Sequence, residues 1–415
     1  MAKKKTVRKN DKVREQYEEY PYPYRDPNDE KKRLVTGSPS LLPELTHYLF
    51  KGDFSPTKTF RVLVAGGGTG DGLIMIAQEM ADAGMAAEIH YLDLSEAARR
   101  VAEKRAVVRK LKNIAFHTGS LLQAEELGEF DYIDCCGVLH HLPNPGAGFL
   151  ALKKLLKPEG GMGIMVYGEL GRTGVYHVQD MLKMIASEGD AADRIKITKQ
   201  LIGELPETNW LNRNSQLQDH KQADANLFDL LLHSQDRAYT VSQLVEVTAA
   251  AGLKIVSFVE PARYDPTFMI ESSALRDRID ALSYIEKAAF AELLSGNIRK
   301  HVVYLTHEGR EESTIADCHN AQAVPAFKDE QTQSMLQEML PGTQPNMEAD
   351  GLSVHLPLPP QTAVILGAVD GKRTLDQIRQ LLPNQPDWFV FSATFQQIFK
   401  LLNGVGMMFL CRIKS

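Results

Sequence analysis

Alternating glycines followed by two well-spaced aspartates are the residues of this chain best suited to hold a nucleotide-like ligand. Gly66, Gly68 and Gly70 are followed directly by Asp71, and Asp93 lies 25 residues beyond Gly68. Glycines let a ligand approach bare backbone at the N-terminus of a helix. A carboxylate at the end of the next strand can accept hydrogen bonds from ribose hydroxyls. The spacing therefore predicts a site for an adenosine-type ligand; a merely tight strand-helix junction and a surface aspartate are the alternatives.

The residue at the last position of the glycine pattern separates two kinds of adenosine ligand. Dinucleotide sites favour G-x-G-x-x-G, where the pyrophosphate lies on the helix N-terminus. This chain has Asp71 in place of the last glycine, and a carboxylate there repels phosphate but attracts an ammonium or a sulfonium. The pattern therefore favours S-adenosylmethionine (SAM) and disfavours a dehydrogenase.

Histidines supply the candidates for acid-base chemistry. His140 and His141 follow a predicted strand at the edge where the ligand would lie, and a histidine can accept a proton near neutral pH. His233 lies four residues after Asp229, so on a helix the carboxylate would orient the imidazole. We predict His233 and His140 as catalytic residues, with structural hydrogen bonds as the alternative. No metal site is predicted, because this pair lacks a third ligand.

Strands alternating with helical patterns must position these residues. Runs of β-branched and apolar residues predict five buried strands at residues 60–65, 87–92, 114–117, 130–136 and 162–167. Helical periodicity follows the first, second and fourth runs. This alternation predicts a parallel, doubly wound α/β sheet, with ligands bound at the carboxyl ends of its strands.

Four segments in this order resemble the class I SAM-dependent methyltransferases of bacteria: AGGGTGDG, YLDLS, FDYIDCCGVLHHLPNP and LKPEGGMGIMVYG. The resemblance covers about residues 58–168. It implies a Rossmann-like seven-stranded sheet, in which residues 253–259 and 301–306 form the sixth and the antiparallel seventh strand. It also implies that a helical insertion at about residues 171–237 carries the acceptor pocket. The predicted SAM-binding residues are Gly66, Gly68, Gly70, Asp71, Asp93, Leu94, Ser120, Leu121 and Gly137.

The regions outside the sheet suggest further domains. Residues 1–50 combine a basic tail with a Tyr/Pro segment, which is either a lid over the ligand or an aromatic strap packed on the surface. We predict a methyltransferase domain at 51–310, a linker at 311–350 and a winged-helix-like α+β domain at 351–415. Glycines 404 and 406 suggest a hairpin or wing there. Six Lys/Arg against three Asp/Glu in residues 355–415 are too few for a DNA footprint, so this module is expected to contact protein or form a homodimer.

Composition limits the classes of function. The net charge of -6 makes nucleic acid an unlikely partner, and no run of residues is long and apolar enough to predict a membrane span. Four cysteines without metal-binding spacing predict a cytoplasmic protein. The predicted function is methyl transfer from SAM to a nitrogen or oxygen nucleophile on a protein side chain or a small molecule. The alternative is a SAM-binding regulator that acts through its C-terminal module.

Overall fold

A seven-stranded sheet forms the centre of the fold. The computed structural model describes Arg14 and residues 17–54, 58–221 and 223–413. The strands are β1 (Phe60–Ala65), β2 (Ala87–Asp93), β3 (Ile114–Thr118), β4 (Phe130–Cys136), β5 (Leu156–Tyr167), β6 (Leu253–Phe258) and β7 (Lys300–His307). Their order is β3-β2-β1-β4-β5-β7-β6, and only β7 runs antiparallel to its neighbours. The predicted Rossmann-like methyltransferase sheet is confirmed.

Helices cover both faces of this sheet, which explains why its inner strands are apolar on both sides. The flanking helices are α1 (Leu42–Leu49), α2 (Asp71–Asp82), α3 (Glu96–Val108) and α4 (Pro145–Lys154). Ser95 caps α3 by accepting the backbone N–H of Ala98, and Asn144 caps α4 in the same way. Two large clusters of buried side chains, one on each face, form the core.

Four helices occupy the segment where an insertion was predicted. They are α5 (Val175–Ile185), α6 (Ala191–Gly203), α7 (Trp210–Arg213) and α8 (Asp224–Leu231), and they share a small core of their own. The chain then returns to the sheet through α9 (Val241–Ala250), which leads into β6. Two further helices, α10 (Ser273–Asp280) and α11 (Tyr284–Ser295), connect β6 to β7. No helix within the described ranges combines the length and the apolar character that a bilayer crossing requires.

The C-terminal region differs from its prediction in two respects. Its elements are β8 (Pro325–Phe327), α12 (Glu330–Gln337), β9 (Asn346–Ala349), β10 (Leu352–His355), α13 (Thr362–Gly367), α14 (Leu375–Leu381), α15 (Trp388–Gly404) and β11 (Met408–Leu410). The linker predicted at 311–350 is wrong, because Leu336 and Ala349 from this segment are buried in the same core as α15. The predicted hairpin or wing after Gly406 is also wrong, because β11 pairs with β8 far upstream. The winged-helix-like arrangement is not confirmed.

The C-terminal module is joined to the start of the chain. Asp53–Phe54 pairs in parallel with Arg412–Ile413. On α1, the ring of His47 packs edge-on against Phe399, and its Nδ1 accepts the backbone N–H of Leu410 at 3.3 Å. Burial lowers the pKa of His47 to about 3, so the ring is neutral at this interface. The module and the sheet domain thus share a continuous apolar contact.

Candidate active site

A cavity of about 610 Å³ lies at the carboxyl ends of β1 to β5, where the strand order reverses between β1 and β4. Eight of the nine predicted SAM-binding residues line it: Gly66, Gly68, Asp71, Asp93, Leu94, Ser120, Leu121 and Gly137. The ninth, Gly70, is the N-cap of α2, where φ is +101°, and it lies against Ala102 of α3. Gly70 therefore shapes the turn without lining the cavity.

The turn between β1 and α2 depends on glycine at two positions. Gly66 has φ +77°, and a Cβ at this position would collide with Val138. Gly68 has φ +50°, and a Cβ there would lie 2.7 Å from the carbonyl oxygen of Tyr22. Side chains are therefore excluded both by backbone conformation and by close neighbours, which leaves a bare backbone surface facing the cavity.

Asp93, at the end of β2, ties this turn to the next helix. Its Oδ2 accepts the backbone N–H of Gly68 at 2.8 Å, and its Oδ1 accepts that of Ser95 at 2.8 Å. Burial raises the pKa of Asp93, although the backbone N–H groups of Ser95, Gly68 and Leu94 oppose this effect. Each carboxylate oxygen keeps a second lone pair. Asp93 can therefore hold the turn and accept two ribose hydroxyls at the same time, which fits SAM.

Asp71 lines the cavity, but its charge is already balanced. Arg25 donates two hydrogen bonds to its carboxylate, at 2.9 and 2.6 Å, and Arg105 donates a third at 2.7 Å. Burial by itself would raise the pKa of Asp71, but Arg25 and Arg105 lower it. The expectation that Asp71 presents a free negative charge to an ammonium or repels phosphate is therefore wrong. Its visible role is to anchor Arg25 over the turn.

Residues 17–25, which we call the strap, cross the entrance of the turn. The carbonyl of Pro23 accepts a hydrogen bond from Thr69 Oγ1 at 2.6 Å, and that of Tyr22 accepts the N–H of Thr69 at 3.3 Å. The carboxylate of Glu18 accepts two backbone N–H groups in the first turn of α3, at 2.5 and 3.2 Å. Within the strap, Tyr17, Tyr22 and Pro23 line the cavity, whereas Tyr24 is 72% exposed. The basic residues 1–13 lie outside the described part of the chain.

A buried cluster of rings and one carboxylate borders the cavity opposite the glycine turn. The carboxylate of Asp229 accepts hydrogen bonds from the hydroxyls of Tyr17 at 3.2 Å and Tyr167 at 3.1 Å. The rings of His141 and His233 stack with centroids 3.8 Å apart. His141 Nδ1 lies 2.8 Å from the backbone carbonyl of Gln235. This contact places the proton on Nδ1, so the Nε2 lone pair of His141 is free to accept another.

The predicted catalytic residue His140 lies behind His141. It is completely buried, does not line the cavity, and neither of its ring nitrogens has a hydrogen-bond partner. Burial lowers the pKa of His140 well below the usual value, and the nearby His141, Arg172 and His233 lower it further. His140 packs against Tyr167, with ring centroids 4.0 Å apart. The structure thus gives His140 no contact with a ligand in the cavity.

His233, the other predicted catalytic residue, has both ring nitrogens engaged. Its Nδ1 accepts the backbone N–H of Gln235 at 3.0 Å, so the single proton of the neutral ring is on Nε2, 3.2 Å from the Tyr17 hydroxyl. Burial lowers its pKa well below the usual value. Polar ligand atoms of His141, Asp229 and His233 lie within 4.8 Å of one another. They do not fit a metal, because His233 has no free lone pair.

Sequence reasoning placed both histidines at the edge of this cavity but chose His140, and it missed Asp134. His141 lines the cavity although the adjacent His140 does not. Both lie on one short 3₁₀ turn, Leu139–His141, and the side-chain periodicity of helices and strands does not predict which residue of such a turn points to the cavity. Asp134 lines it from within β4, where it accepts a hydrogen bond from Ser40 and where burial raises its pKa to about 6. The signal for Asp134 was an acid between two apolar residues, Ile133 and Cys135, in the interior of a strand.

Comparisons with known proteins agree with this architecture. A family model described as a methyltransferase domain matches residues 63–162. An uncharacterized protein of Synechococcus sp. is 32% identical over 252 residues, which cover 59% of this chain and 60% of that protein. A ubiquinone biosynthesis O-methyltransferase of Albidiferax ferrireducens is 34% identical over 95 residues, which cover 22% of this chain and 36% of that enzyme. The chain therefore spans less than two thirds of the length of either relative.

Among solved structures, PKMT2 from Rickettsia typhi aligns with a TM-score of 0.63 at 17% identity, covering 90% of this chain and 76% of PKMT2. A structure of PKMT2 in complex with AdoHcy aligns with a TM-score of 0.62. At this identity the likeness shows a common fold. With the matched family model, it shows that residues 63–162 belong to a class I SAM-dependent methyltransferase domain. The cofactor of such a domain is SAM.

Proposed function

We propose that this protein transfers a methyl group from SAM to a nitrogen or oxygen nucleophile, with His141 as the general base. The acceptor is a small molecule or a side chain of another protein. The observation that carries the proposal is that one cavity joins the glycine turn and Asp93 to the free Nε2 of His141. SAM, when bound, supplies a methyl group that is already activated by its sulfonium.

The residues of the chain have three tasks in this reaction. The glycine turn and Asp93 fix the ligand, because bare backbone and two free carboxylate lone pairs face it. Tyr22 and Pro23 of the strap cover the turn and exclude water. His141 accepts the proton of the acceptor, and the Gln235 carbonyl holds its ring in the tautomer this requires.

Two measurements test this proposal. Calorimetry with SAM, AdoHcy and NAD should give binding of the first two and none of the third. Methyl-labelled SAM incubated with a cell extract should transfer label to a protein or small-molecule fraction. A protein that binds SAM but labels neither fraction, under conditions where a known methyltransferase does, would contradict catalysis and leave a binding protein.

A further inference from the structure

The charges that line the cavity are unevenly matched. Arg172 forms an ion pair with Asp236 at 3.0 Å, and Arg299 forms one with Asp350. Lys300 lines the cavity without a hydrogen bond or ion pair to any described residue. Four lining carboxylates form no ion pair with a lysine or arginine of the described residues: Asp93, Asp134, Asp219 and Asp229. Lys300 and the single net positive charge of SAM offset only two of these.

Two of the four carboxylates act on the same part of the cavity. Burial first, and then the charges of Asp229 and Asp219, raise the pKa of Tyr22. Asp229 is only 4% exposed and binds the hydroxyls of Tyr17 and Tyr167. Asp219 lines the cavity and forms no hydrogen bond or ion pair with a described residue. The rings of Tyr17 and Tyr22 thus border a cavity wall that carries two carboxyl groups.

A third, independent feature points to a ligand at this wall. His141 is 6% exposed and lines the cavity, and its Nε2 has no hydrogen-bond partner in the described chain. One of its ring nitrogens lies within 4.8 Å of a carboxylate oxygen of Asp229. An imidazole nitrogen without a partner, beside two carboxyl groups and two tyrosine rings, matches an ammonium group, which is attracted to carboxylates and to aromatic faces and must lose a proton before it reacts.

We propose that the acceptor is an amine that binds as an ammonium ion at Asp219, Asp229, Tyr17 and Tyr22, so that the enzyme is an N-methyltransferase. This inference rests on the proposed function. The ammonium gives one proton to His141 Nε2. The nitrogen lone pair then forms a bond to the methyl carbon while the bond between that carbon and sulfur breaks. The electron pair of the broken bond stays on sulfur, which becomes the thioether of AdoHcy. The methylated ammonium and the proton on His141 leave to solvent.

Three four-carbon probes that differ only in the terminal group test the binding step: n-butylamine, 1-butanol and butyrate. Ligand-observed NMR titration of the AdoHcy-loaded protein at pH 7.5 should show butylammonium binding about tenfold or more tighter than the other two. Equal or tighter binding of butanol or butyrate, or no detectable binding of the amine, would overturn the inference.

Asp219 and Lys300 carry opposite charges, and neither forms a side-chain hydrogen bond or an ion pair with a described residue. Variants of these two residues therefore serve as matched controls. Asp219→Asn should weaken butylammonium binding about three- to tenfold and leave butanol unchanged, and Asp219→Glu should restore most of the affinity. Lys300→Gln removes a positive charge from the cavity, so it should tighten amine binding. If Asp219→Asn leaves amine binding unchanged while AdoHcy still binds, the assignment of Asp219 is wrong.

The chemistry of the transferred label separates this inference from the proposed function. Label moved from SAM in a cell extract should resist mild base and be recovered on nitrogen by mass spectrometry. Label recovered as a base-labile methyl ester or as a methyl ether would overturn the amine while the methyltransferase stands. Failure to bind SAM or AdoHcy at all would instead remove the proposed function.

Discussion

Replacing Asp93 by alanine is the sharpest test of the SAM site. In the folded protein each oxygen of this carboxylate accepts one backbone N–H, from Gly68 and from Ser95, at 2.8 Å. The remaining lone pairs are those that ribose hydroxyls would use. A hydrogen bond to a charged group contributes about 1.5–3 kcal/mol, so the loss of two should cost about 3–6 kcal/mol of binding. This corresponds to a Kd for AdoHcy weaker by about 100-fold or more.

Calorimetry with AdoHcy measures this loss, and two further variants interpret it. Asp93→Asn keeps one carbonyl oxygen, so its affinity should lie between those of wild type and Asp93→Ala. Asp180→Ala removes an exposed carboxylate on α5 that pairs with Lys183 on the same helix, and it should bind AdoHcy as wild type does. A Kd for Asp93→Ala within twofold of wild type, with an unchanged circular dichroism spectrum, would refute the assignment of the ribose to Asp93.

Four other changes test separate parts of the account. His141→Gln should lower turnover about 100-fold or more while the Kd for AdoHcy stays within twofold; wild-type turnover would remove His141 from the chemistry. Arg25→Met should speed AdoHcy release about two- to fivefold in stopped-flow, because a partly exposed ion pair is worth at most about 1 kcal/mol; an unchanged rate would mean that the strap does not hold the ligand. Asp350→Asn should raise the acceptor KM but not the Kd for AdoHcy, because it releases Arg299 at the cavity; an unchanged KM would separate the C-terminal module from the acceptor. Burial raises the pKa of Glu44 from 4.5 to about 7, so the folded protein keeps a proton that the unfolded chain loses near pH 4.5, and stability falls as the pH rises from about 4.5 to about 7. Glu44→Gln should abolish about 2–3 kcal/mol of that fall in urea unfolding at pH 4.5 and 8, and parallel pH profiles for the two proteins would count against it.

Most of the sheet was predictable because each strand has its own apolar run bounded by polar residues. The exception is informative: residues 157–161 predict a turn from Pro158 and two glycines, but they form the start of β5. Pairing with β4 overrides the local preference, through a register shift after Phe130. Gly161 is needed there because a Cβ would meet the side chain of Leu49 on α1. Local composition cannot reveal such a contact.

The site was predictable where its residues belong to one motif and not where distant segments meet. The glycine turn and Asp93 could be located because a strand-turn-helix unit carries them. The balanced charge of Asp71 could not, because its partners Arg25 and Arg105 lie 46 and 34 residues away in the chain. The placement of His141 on the cavity depends on the insertion, whose Gln235 fixes its ring.

The strap has a consequence for how the protein exchanges its ligands. It is fastened at both of its ends, by Arg25 to Asp71 and by Glu18 to the first turn of α3, and between them it lies over the glycine turn. If the proposed function is right, AdoHcy should leave, and SAM should enter, more readily once these contacts are broken. We expect a fragment beginning at residue 26, which keeps α1 and its contacts with the sheet, to fold but to bind the nucleoside more weakly. The proposed function then makes the residence time of the product a property of the strap, which lies outside the sheet and its covering helices.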